Sequence, residues 1–341
     1  MTSVYERPSP GTPAERAKLR GLAGGFRMSI GAMSECVGAD AWAQWPCSLN
    51  SSPGPSPVHP TAGRSRRLGS KKAKTMKKTV LITGASSGFG LMLATRLHQQ
   101  GVEVIGTSRD PEKAAKLPFK LLRLDIDDDA SIEAFTRELF RHAPRVDVLV
   151  NNAGYMVTGL AEETPLALGR QQFETNFWGT VKVTNALLPH FRAQKAGQVI
   201  TVSSIVGLIG PPNLSYYTAS KHAVQGYFKS LRFELDQFNI RVSMVEPVWF
   251  KTNLSHNAVA AKTGRIADYN DYRKQANAAT QKGIDDAQSP APVVATIERL
   301  INTRHPKFSN PVGKMTGMIL FLQSYMPKMF ESEIHKSVRT A

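Results

Sequence analysis

The stretch TVLITGASSGFG, residues 79 to 90, decides the fold of this 341-residue chain. A β-branched, strand-forming run leads directly into a turn that carries Gly84, Gly88 and Gly90, and an amphipathic helical segment follows. Glycines let the backbone turn tightly and approach a pyrophosphate without a Cβ collision, while a helix N-terminus offers free N–H groups and partial positive charge. The stretch therefore predicts a strand, a phosphate-binding turn and a helix. The alternative is a turn of the same shape without a ligand.

Short β-branched runs alternate with segments of helical period through the rest of the chain, a pattern typical of βαβ units. The runs are apolar on both faces, which fits a sheet covered by helices on each side. We therefore predict α/β architecture over residues 76–341, a single Rossmann-like doubly wound parallel sheet with helices on both faces. The predicted strands are 79–83, 102–107, 120–125, 146–152, 198–204 and 240–247.

Composition narrows the class of protein. Hydrophobic residues make up 41% of the chain and charged residues 21%, which is typical of a globular protein. The two cysteines, Cys36 and Cys47, cannot build a disulfide scaffold or a thiolate metal site, so no metal is expected. No apolar run reaches the roughly 18 residues that a membrane span needs, so we expect no transmembrane segment and a cytoplasmic location.

Residues 1–75 differ from the rest of the chain. They are rich in proline and glycine, contain a basic run over residues 64–74 and lack sustained apolar periodicity, so we predict a disordered extension. Met76 is followed at once by KKTVLITG, the natural beginning of a Rossmann domain. One hypothesis is therefore that the extension reflects an over-extended gene prediction.

The formal net charge of +16 raises the question of nucleic-acid binding. The first 75 residues hold 11 basic and 4 acidic residues, so nearly half of the excess lies there, and the remainder is spread thinly. Diffuse basicity favours solubility and attraction of anionic ligands. We expect no nucleic-acid partner.

The end of the second strand, TSRDPEK, indicates which nicotinamide cofactor would fit. Asp110 directly precedes Pro111, so we expect it to cap the next helix rather than bind a ribose. Ser108 and Arg109 lie at the strand tip, where a guanidinium suits a 2′-phosphate. This favours NADP over NAD; the alternative is a solvated arginine on a loop.

Four polar residues stand out beyond the turn: Asn176, Ser204, Tyr217 and Lys221. Tyr217 and Lys221 are four residues apart in a segment of helical period, so they share one face. A neighbouring ammonium would favour the phenolate and lower a tyrosine pKa that is ordinarily about 10. Ser204 ends a strand and could donate a hydrogen bond to a carbonyl oxygen on which charge develops.

These segments resemble the short-chain dehydrogenase/reductase family, and the resemblance covers Lys78 to about Thr252. Five pieces match in order: TGASSGFG, LDI, NNAG, VSS and YTASK. The resemblance implies an oxidoreductase in which Tyr217 is the general acid/base and Lys221 adjusts its pKa and binds ribose. It also implies that Ser204 polarises the carbonyl and that Asn176 holds a water for proton relay. The implied cofactor contacts, together with those proposed above, are Gly84, Ser86, Ser87, Gly88, Phe89, Gly90, Ser108, Arg109, Asp125, Ile126, Asn152, Ala153, Gly154, Tyr217, Lys221, Pro247, Val248 and Thr252.

Several of these residues have a competing interpretation. Tyr216 adjoins Tyr217 but does not lie four residues before a lysine, and Ser203 would point away from Ser204 across the strand. Asn151 is expected to tie strand ends together. Asn176, in ETNFWG, could instead satisfy a helix kink.

One position departs from the family pattern. After the sixth strand the family carries Pro-Gly and then a threonine for the nicotinamide carboxamide, whereas this chain reads PVWFKT with Pro247, Val248 and Thr252. A β-branched residue would be strained if the position needed a positive φ.

The substrate loops within residues 248–285 and the loop after the fifth strand offer apolar surface, which suggests a hydrophobic ketone, aldehyde or alcohol. The expected wall residues are Val206, Leu208, Ile209, Pro212, Trp249 and Phe250. An apolar, methionine-rich segment, 311–330, could line the substrate mouth, form a subunit interface or touch a membrane surface, in that order. A homodimer or homotetramer is expected, because the helix of QFETNFWGTVKVTNALLPHF is apolar on more than one side.

The leading hypothesis is an NADP-dependent oxidoreductase that interconverts a hydrophobic ketone or aldehyde and the alcohol. The alternative from another class is an NADP-sensing regulatory protein with little or no turnover. Such a sensor would be expected to lack the tyrosine or the lysine, and both are present. A basic scaffold acting through residues 1–75 is a third possibility.

Overall fold

The computed structural model describes residues 78–113, 116–252, 258–261 and 266–339. The chain divides into two units, Met1–Lys71 and Lys72–Ala341, and all described residues belong to the second. The extension predicted over residues 1–75 lies outside the described residues and stays a prediction.

A seven-stranded parallel sheet forms the centre of the described unit, which confirms the predicted fold class. Its strand order is β3-β2-β1-β4-β6-β7-β9. The sheet strands are β1 (Thr79–Ile82), β2 (Glu103–Ser108), β3 (Lys120–Arg123), β4 (Val148–Asn151), β6 (Gly197–Val202), β7 (Ile240–Pro247) and β9 (Ser309–Val312).

The edge strand β9 is absent from the sequence prediction. Its four residues, SNPV, lack a β-branched run and include a proline, a residue that sheets tolerate at an edge. The second, two-stranded sheet was also not predicted; it pairs β5 (Val157–Thr158) with β8 (Val259–Ala260). This small sheet attaches part of the substrate loops to the body of the domain.

Helices cover both faces of the large sheet, and further helices follow β8 and β9. In chain order they are α1 (Gly88–Gln99), α2 (Asp129–His142), α3 (Leu166–Phe173), α4 (Thr180–Gln194), α5 (Ser215–Asp236), α6 (Asn270–Asp285), α7 (Ala291–Asn302), α8 (Thr316–Tyr325) and α9 (Pro327–Arg339). A π-helical segment, Glu174–Gly179, joins α3 to α4. In the part of the chain that is described, no helix has the length and apolar character to cross a membrane.

Alternate residues of each strand enter opposite halves of the core. In β1, Leu81 packs in a cluster with side chains of α2, α4 and α5, whereas Val80 and Ile82 pack in a second cluster with α1 and α7. Successive strand residues point to opposite faces, so a strand that is apolar throughout contributes to both clusters. The sheet therefore forms the middle of three layers, and the carboxyl ends of its strands are left to form a site.

A fully buried carboxyl group joins three elements next to that end of the sheet. Gln225 Nε2 of α5 donates to Glu246 Oε1 (3.0 Å), and the Asn310 N–H of β9 donates to Oε2 (2.6 Å). Burial raises the pKa of Glu246 above its ordinary value, and the two hydrogen bonds oppose that shift. Glu246 therefore ties the unpredicted edge strand to the helix that carries Tyr217.

We expect Glu246→Ala to lower the free energy of unfolding by about 3 kcal/mol, because it leaves two buried N–H donors unpaired and opens a cavity. Urea unfolding followed by circular dichroism measures the change. The control is Glu234→Ala, at an exposed position of α5, which should stay within about 0.5 kcal/mol of wild type. Equal stability of the two variants would contradict the structural role of Glu246.

Candidate active site

The turn between β1 and α1 has the geometry of an anion cradle. Gly84 and Gly88 adopt φ values of 65° and 54°, which side-chain-bearing residues rarely adopt. A Cβ on Gly90 would overlap the carbonyl oxygen of Gly84, so the turn closes only with glycine there. Ser87 occupies the N-cap of α1, and its side chain makes no capping hydrogen bond. The uncapped helix N-terminus thus retains N–H groups for an anion.

A threonine that the sequence reasoning passed over binds this turn to the NNAG segment. Thr83 Oγ1 accepts hydrogen bonds from the N–H groups of Asn152 (2.9 Å) and Ala153 (3.0 Å). In return, Asn152 Nδ2 donates to the carbonyl oxygens of Thr83 (2.9 Å) and Gly84 (3.0 Å). The sequence feature that could have predicted this role is a residue with a hydroxyl group, Thr83, at the carboxyl end of a central strand. The ends of β1 and β4 are therefore locked together at the switch point of the sheet.

A cleft of about 650 Å³ opens along the carboxyl ends of the strands. This volume is in the range of small-molecule and cofactor sites. The structure brings most of the predicted site residues together in its wall: Gly84, Ser86, Ser87, Gly88, Phe89, Ser108, Arg109, Asp125, Ile126, Asn152, Ala153, Gly154, Ser204, Tyr217, Lys221, Pro247, Val248 and Thr252. Seven polar wall residues were not among the predicted site residues: Thr107, Asp110, Asp127, Tyr155, Gln171, Thr175 and Ser203.

Two predicted site residues do not line the cleft. Gly90 lies behind the turn, where its role is to allow close packing. Asn176 is buried in the π-helical segment, and its amide accepts from the Tyr155 N–H (3.1 Å) and donates to the Tyr155 carbonyl (3.0 Å) and to Ser220 Oγ (3.2 Å). This side chain braces the cleft wall from behind, and its amide pairs with Tyr155 and Ser220 rather than with the backbone of a helix kink. Its part in proton relay stays a prediction.

The cleft fits a dinucleotide. At one end the glycine turn presents uncapped N–H groups for a pyrophosphate, and Asp125 and Ile126 line the wall beyond it. Arg109 supplies a cation at the tip of β2, near the Asp127 carboxylate. Within the described residues no cluster of His, Cys, Asp or Glu is arranged to hold a metal ion.

Tyr217, Ser204 and Lys221 meet at the other end of the cleft. Tyr217 and Lys221 are only 5% and 7% exposed, and the Lys221 ammonium lies 5.8 Å from the centre of the Tyr217 ring. Lys221 Nζ donates to the Val202 carbonyl (3.1 Å), and Ser204 Oγ donates to the Pro247 carbonyl (3.3 Å) while lying close enough to the Tyr217 hydroxyl to act on its pKa. The helical spacing of four thus places both groups on one face of α5, as predicted.

The expected lowering of the tyrosine pKa is wrong for the protein without cofactor. Burial raises the pKa of Tyr217 to about 12, and the nearby Ser204 hydroxyl opposes this shift without cancelling it. Burial also lowers the pKa of Lys221 to about 8. Desolvation is the largest cause of both shifts because both groups are enclosed. At neutral pH Tyr217 therefore holds its proton, as an acid that can donate it.

The competing interpretations are resolved by burial and contacts. Tyr216 lies against Gly169 of α3, away from Tyr217. Asn151 Nδ2 donates to Thr184 and Thr201, so it ties β4 to α4 and β6 as expected.

Two further doubts from the sequence are settled. Ser203 also borders the cleft, but its hydroxyl lies beside Gly207 and α5, without a hydrogen-bond partner. Val248 is not among the residues with positive φ; its N–H donates to the Val312 carbonyl (3.1 Å), and its side chain occupies the space left by Gly313. The glycine-to-valine departure therefore causes no backbone strain.

The apolar wall differs in part from the prediction. Val206 and Trp249 line the cleft, together with the unpredicted Met156, Leu214 and Val259. Leu208, Ile209 and Pro212 were expected there but do not border the cleft; the first two pack in the cluster beneath it. Phe250 borders the cleft and stacks edge-on against Phe89, with ring centres 6.0 Å apart.

The family profile of the short chain dehydrogenases matches residues 78–263, which is more than half of the chain. The chain belongs to the short-chain dehydrogenase/reductase family. It is an oxidoreductase of that family with a nucleotide-binding Rossmann fold.

Individual relatives agree with this dehydrogenase assignment. The chain is 37% identical to the uncharacterized oxidoreductase YusZ of Bacillus subtilis, over 77% of this chain and 99% of that protein. It is 35% identical to a 3-ketodihydrosphingosine reductase of Bacteroides thetaiotaomicron, over 72% and 91% of the two chains. A solved short-chain dehydrogenase from Streptomyces avermitilis superposes with a TM-score of 0.66 at 30% identity, covering 78% of this chain and 99% of its own.

The buried Lys221 imposes a pH-dependent cost on the dehydrogenase without cofactor. Its pKa is about 8 in the folded chain against 10.5 ordinarily, so the folded state binds fewer protons than the unfolded state between these values. The cost therefore grows as the pH falls from about 10.5 to 8 and is constant below pH 8. We expect Lys221→Met to raise the free energy of unfolding by about 2 kcal/mol at pH 7, with a smaller gain at pH 10.

Urea unfolding of the cofactor-free protein at the two pH values measures this gain. Lys229→Met is the matched control, because Lys229 is exposed on the same helix and should give no gain at either pH. A Lys221→Met protein that is less stable than wild type at pH 7 would show that the lysine is not a destabilising group.

Proposed function

We propose that this protein is an NADP-dependent oxidoreductase that interconverts a hydrophobic ketone or aldehyde and the alcohol. The observation that carries the proposal is the buried Tyr217 hydroxyl, with Ser204 beside it, at the end of a cleft that begins at a phosphate-binding turn. A nicotinamide cofactor bound there would supply or accept the hydride. All other steps belong to side chains of this chain.

In the direction of reduction, Tyr217 donates its proton to the carbonyl oxygen as negative charge develops on it. Its raised pKa ensures that the proton is present at neutral pH. Ser204 lies within hydrogen-bond reach of the same hydroxyl and stabilises the developing charge on the substrate oxygen. Lys221, with its pKa near 8, is close enough to neutrality to return a proton toward Tyr217 after each cycle. In the oxidative direction Tyr217 must first lose its own proton before it can accept one from the alcohol, and its raised pKa opposes that step.

The preference for NADP rests on the tip of β2. Arg109 borders the cleft, and Ser108 lies beside it with its hydroxyl accepting a hydrogen bond from the Asp110 N–H (3.2 Å). A guanidinium can bind a 2′-phosphate through two parallel hydrogen bonds. Asp110 directly precedes a short 3₁₀ turn, Pro111–Lys113, and also borders the cleft, so its assignment to the turn rather than to a ribose stays part of the proposal.

The substrate class follows from the apolar end of the cleft. Met156, Val206, Leu214, Trp249 and Val259 surround the space next to Tyr217, and none of them carries charge. Such a wall favours a substrate that buries hydrocarbon. The similar 3-ketodihydrosphingosine reductase is named for a ketone with a long chain, and we propose long-chain ketones as the first compounds to offer.

The C-terminal apolar segment, residues 311–330, has some side chains packed against the domain and others exposed. Ile319, Leu320 and Phe330 pack against the cluster beneath the substrate end of the cleft, but no residue of the segment lines the cleft itself, so a place at the substrate mouth stays a prediction. Its outward side chains, among them Phe321 at 53% and Tyr325 at 76%, are exposed. A subunit interface and peripheral membrane contact stay open for this outer face, and a cytoplasmic location stays a prediction. We propose a homodimer or homotetramer formed through the π-helical segment and α4, where Trp178 is half-exposed.

We expect Tyr217→Phe to lower kcat at least about a thousandfold for any ketone the wild type reduces, because the proton donor is lost while the ring is kept. NADPH absorbance, followed while long-chain ketones and aldehydes are offered, measures turnover. Tyr216→Phe is the matched control and should retain wild-type rates. Equal rates for Tyr217→Phe and wild type would contradict the assignment, and no turnover by wild type alongside tight NADPH binding would favour the sensor.

We expect Arg109→Ala to lower the ratio of kcat/KM with NADPH to kcat/KM with NADH about 10- to 100-fold, because a charge-assisted contact to the 2′-phosphate is lost. Arg141→Ala, at an exposed position in the last turn of α2, is the control and should leave the ratio unchanged. An unchanged ratio in Arg109→Ala would remove the basis for preferring NADP.

A further inference from the structure

Helix α6 packs behind the apolar wall at the substrate end of the cleft and has almost no apolar core of its own. Among its sixteen residues, Ala276 is the one buried side chain. Arg273, Asn277, Thr280 and Gly283 contact the body of the domain and are spaced so that they share one helical face, and Ala276 packs against Leu160 and Val338. An element held by few apolar contacts can open at low free energy, so its position depends on the particular polar contacts it makes.

The first of these contacts is a buried ion pair. Arg273 Nε donates to Glu163 Oε2 (2.7 Å) and Nη2 donates to Glu163 Oε1 (2.6 Å), which is the bidentate geometry of strong arginine–carboxylate pairs. The Glu163 side chain is fully buried and that of Arg273 is 12% exposed. Solvent therefore screens this pair far less than a surface ion pair.

The same pair also holds the chain that leads into α6. The Ile266 N–H donates to Glu163 Oε1 (3.2 Å), and Arg273 Nη2 donates to the Ile266 carbonyl (2.8 Å). Glu163 follows β5 in the chain, and Ile266 follows β8, so the pair joins the chain segments that lead out of the small sheet. Val259 of β8 lines the cleft.

Further contacts of α6 are with neighbours of Tyr217. Asn213 Nδ2 donates to Asn277 Oδ1 and Thr280 Oγ1, both at 3.0 Å, and Asn213 directly precedes the wall residue Leu214. Gly283 lies against the indole of Trp249, so closely that a Cβ there would be 2.7 Å from Nε1. Three wall residues, Leu214, Trp249 and Val259, are therefore set directly or indirectly by where α6 lies.

We propose that Glu163 and Arg273 are positioning residues that hold α6 against the cleft and thereby set the apolar wall that binds the substrate. Neither residue borders the cleft, and neither touches Tyr217, Ser204 or Lys221. Their effect falls on substrate binding and leaves the chemical step and the phosphate-binding turn unchanged. The kinetic part of this inference rests on the function proposed above; the anchoring of α6 does not.

The test compares Glu163→Gln and Arg273→Lys with wild type. Glutamine keeps the size of Glu163 but loses its charge and one acceptor, and lysine keeps the charge of Arg273 but cannot form the two parallel hydrogen bonds. Lys274→Gln is the matched control, because Lys274 is the next residue of α6 and is exposed. Steady-state kinetics, NADPH titration and amide hydrogen exchange are measured for each protein.

We expect KM for the ketone to rise about tenfold in Glu163→Gln, with kcat and the Kd of NADPH within about twofold of wild type. Arg273→Lys should show a smaller rise, and the control none. Amide exchange should speed up about tenfold or more over residues 270–285 and stay unchanged in β6.

Other outcomes overturn the proposal. A fall in kcat with unchanged KM, weaker NADPH binding, or faster exchange throughout the large sheet would show that the pair stabilises the whole domain. Unchanged KM and unchanged exchange would show that it positions nothing. If wild type reduces no ketone, the proposed function fails, and exchange alone decides the anchoring: acceleration confined to α6 supports it, and no acceleration refutes it.

Discussion

The missing side chain at Gly90 is the constraint on which the site depends. Because the helix backbone at this residue lies against the Gly84 carbonyl, the turn after β1 can fold back tightly and expose the N-terminus of α1. The same closeness lets Asn152 donate to the carbonyls of Thr83 and Gly84, which brings the NNAG segment to the turn. One close approach of two backbones thus aligns the ends of β1 and β4 and opens the cleft between the strands on either side.

At the other end of the cleft, the pKa values of Tyr217 and Lys221 depend on their burial. Tyr217 and Lys221 would be an ordinary phenol and ammonium if they faced water. Enclosed as they are, the tyrosine holds its proton and the lysine gives up its own readily, because burial disfavours the charged form of each. In the reduction proposed above, the proton that the carbonyl oxygen needs is therefore held on the phenol. The structure accepts an unfavourable buried cation in return, a trade of stability for activity.

Much of the fold could be read from the chain, because both the sheet and the main helices follow local rules. The bounds of β7 match the prediction, since its apolar residues begin at Ile240 and recur up to Val245, and the strand ends at Pro247. The edge strand β9 could not be predicted, because its pairing with β7 rests on Glu246 and Asn310, which are 64 positions apart. Likewise the direction of the Tyr217 pKa shift depends on enclosure by distant segments, which spacing along one helix does not reveal.

The candidate site, like the fold, could be predicted only in part from the sequence. Motif residues at the ends of β1, β4 and β6 line the cleft because strand ends in a parallel sheet meet at one edge. Residues chosen for apolar character alone were less reliable: Leu208 and Ile209 turn into the cluster below, while Met156 and Leu214 take their place. Glu163 and Arg273 are 110 residues apart, and nothing local marks them as partners.

Helix α6 contributes little to the buried core, and this affects how the substrate selectivity of such an enzyme can change. Its outward surface and most of its inner face make no contribution to the three-layered core, since Ala276 is its one buried residue. Changes in α6 can therefore accumulate at little expense to folding, while each change at a contact point alters the shape that the pocket offers. Substitutions in this one helix could therefore change which substrates bind while the fold stays the same. In descendants of this protein, substrate selectivity would change faster than the fold.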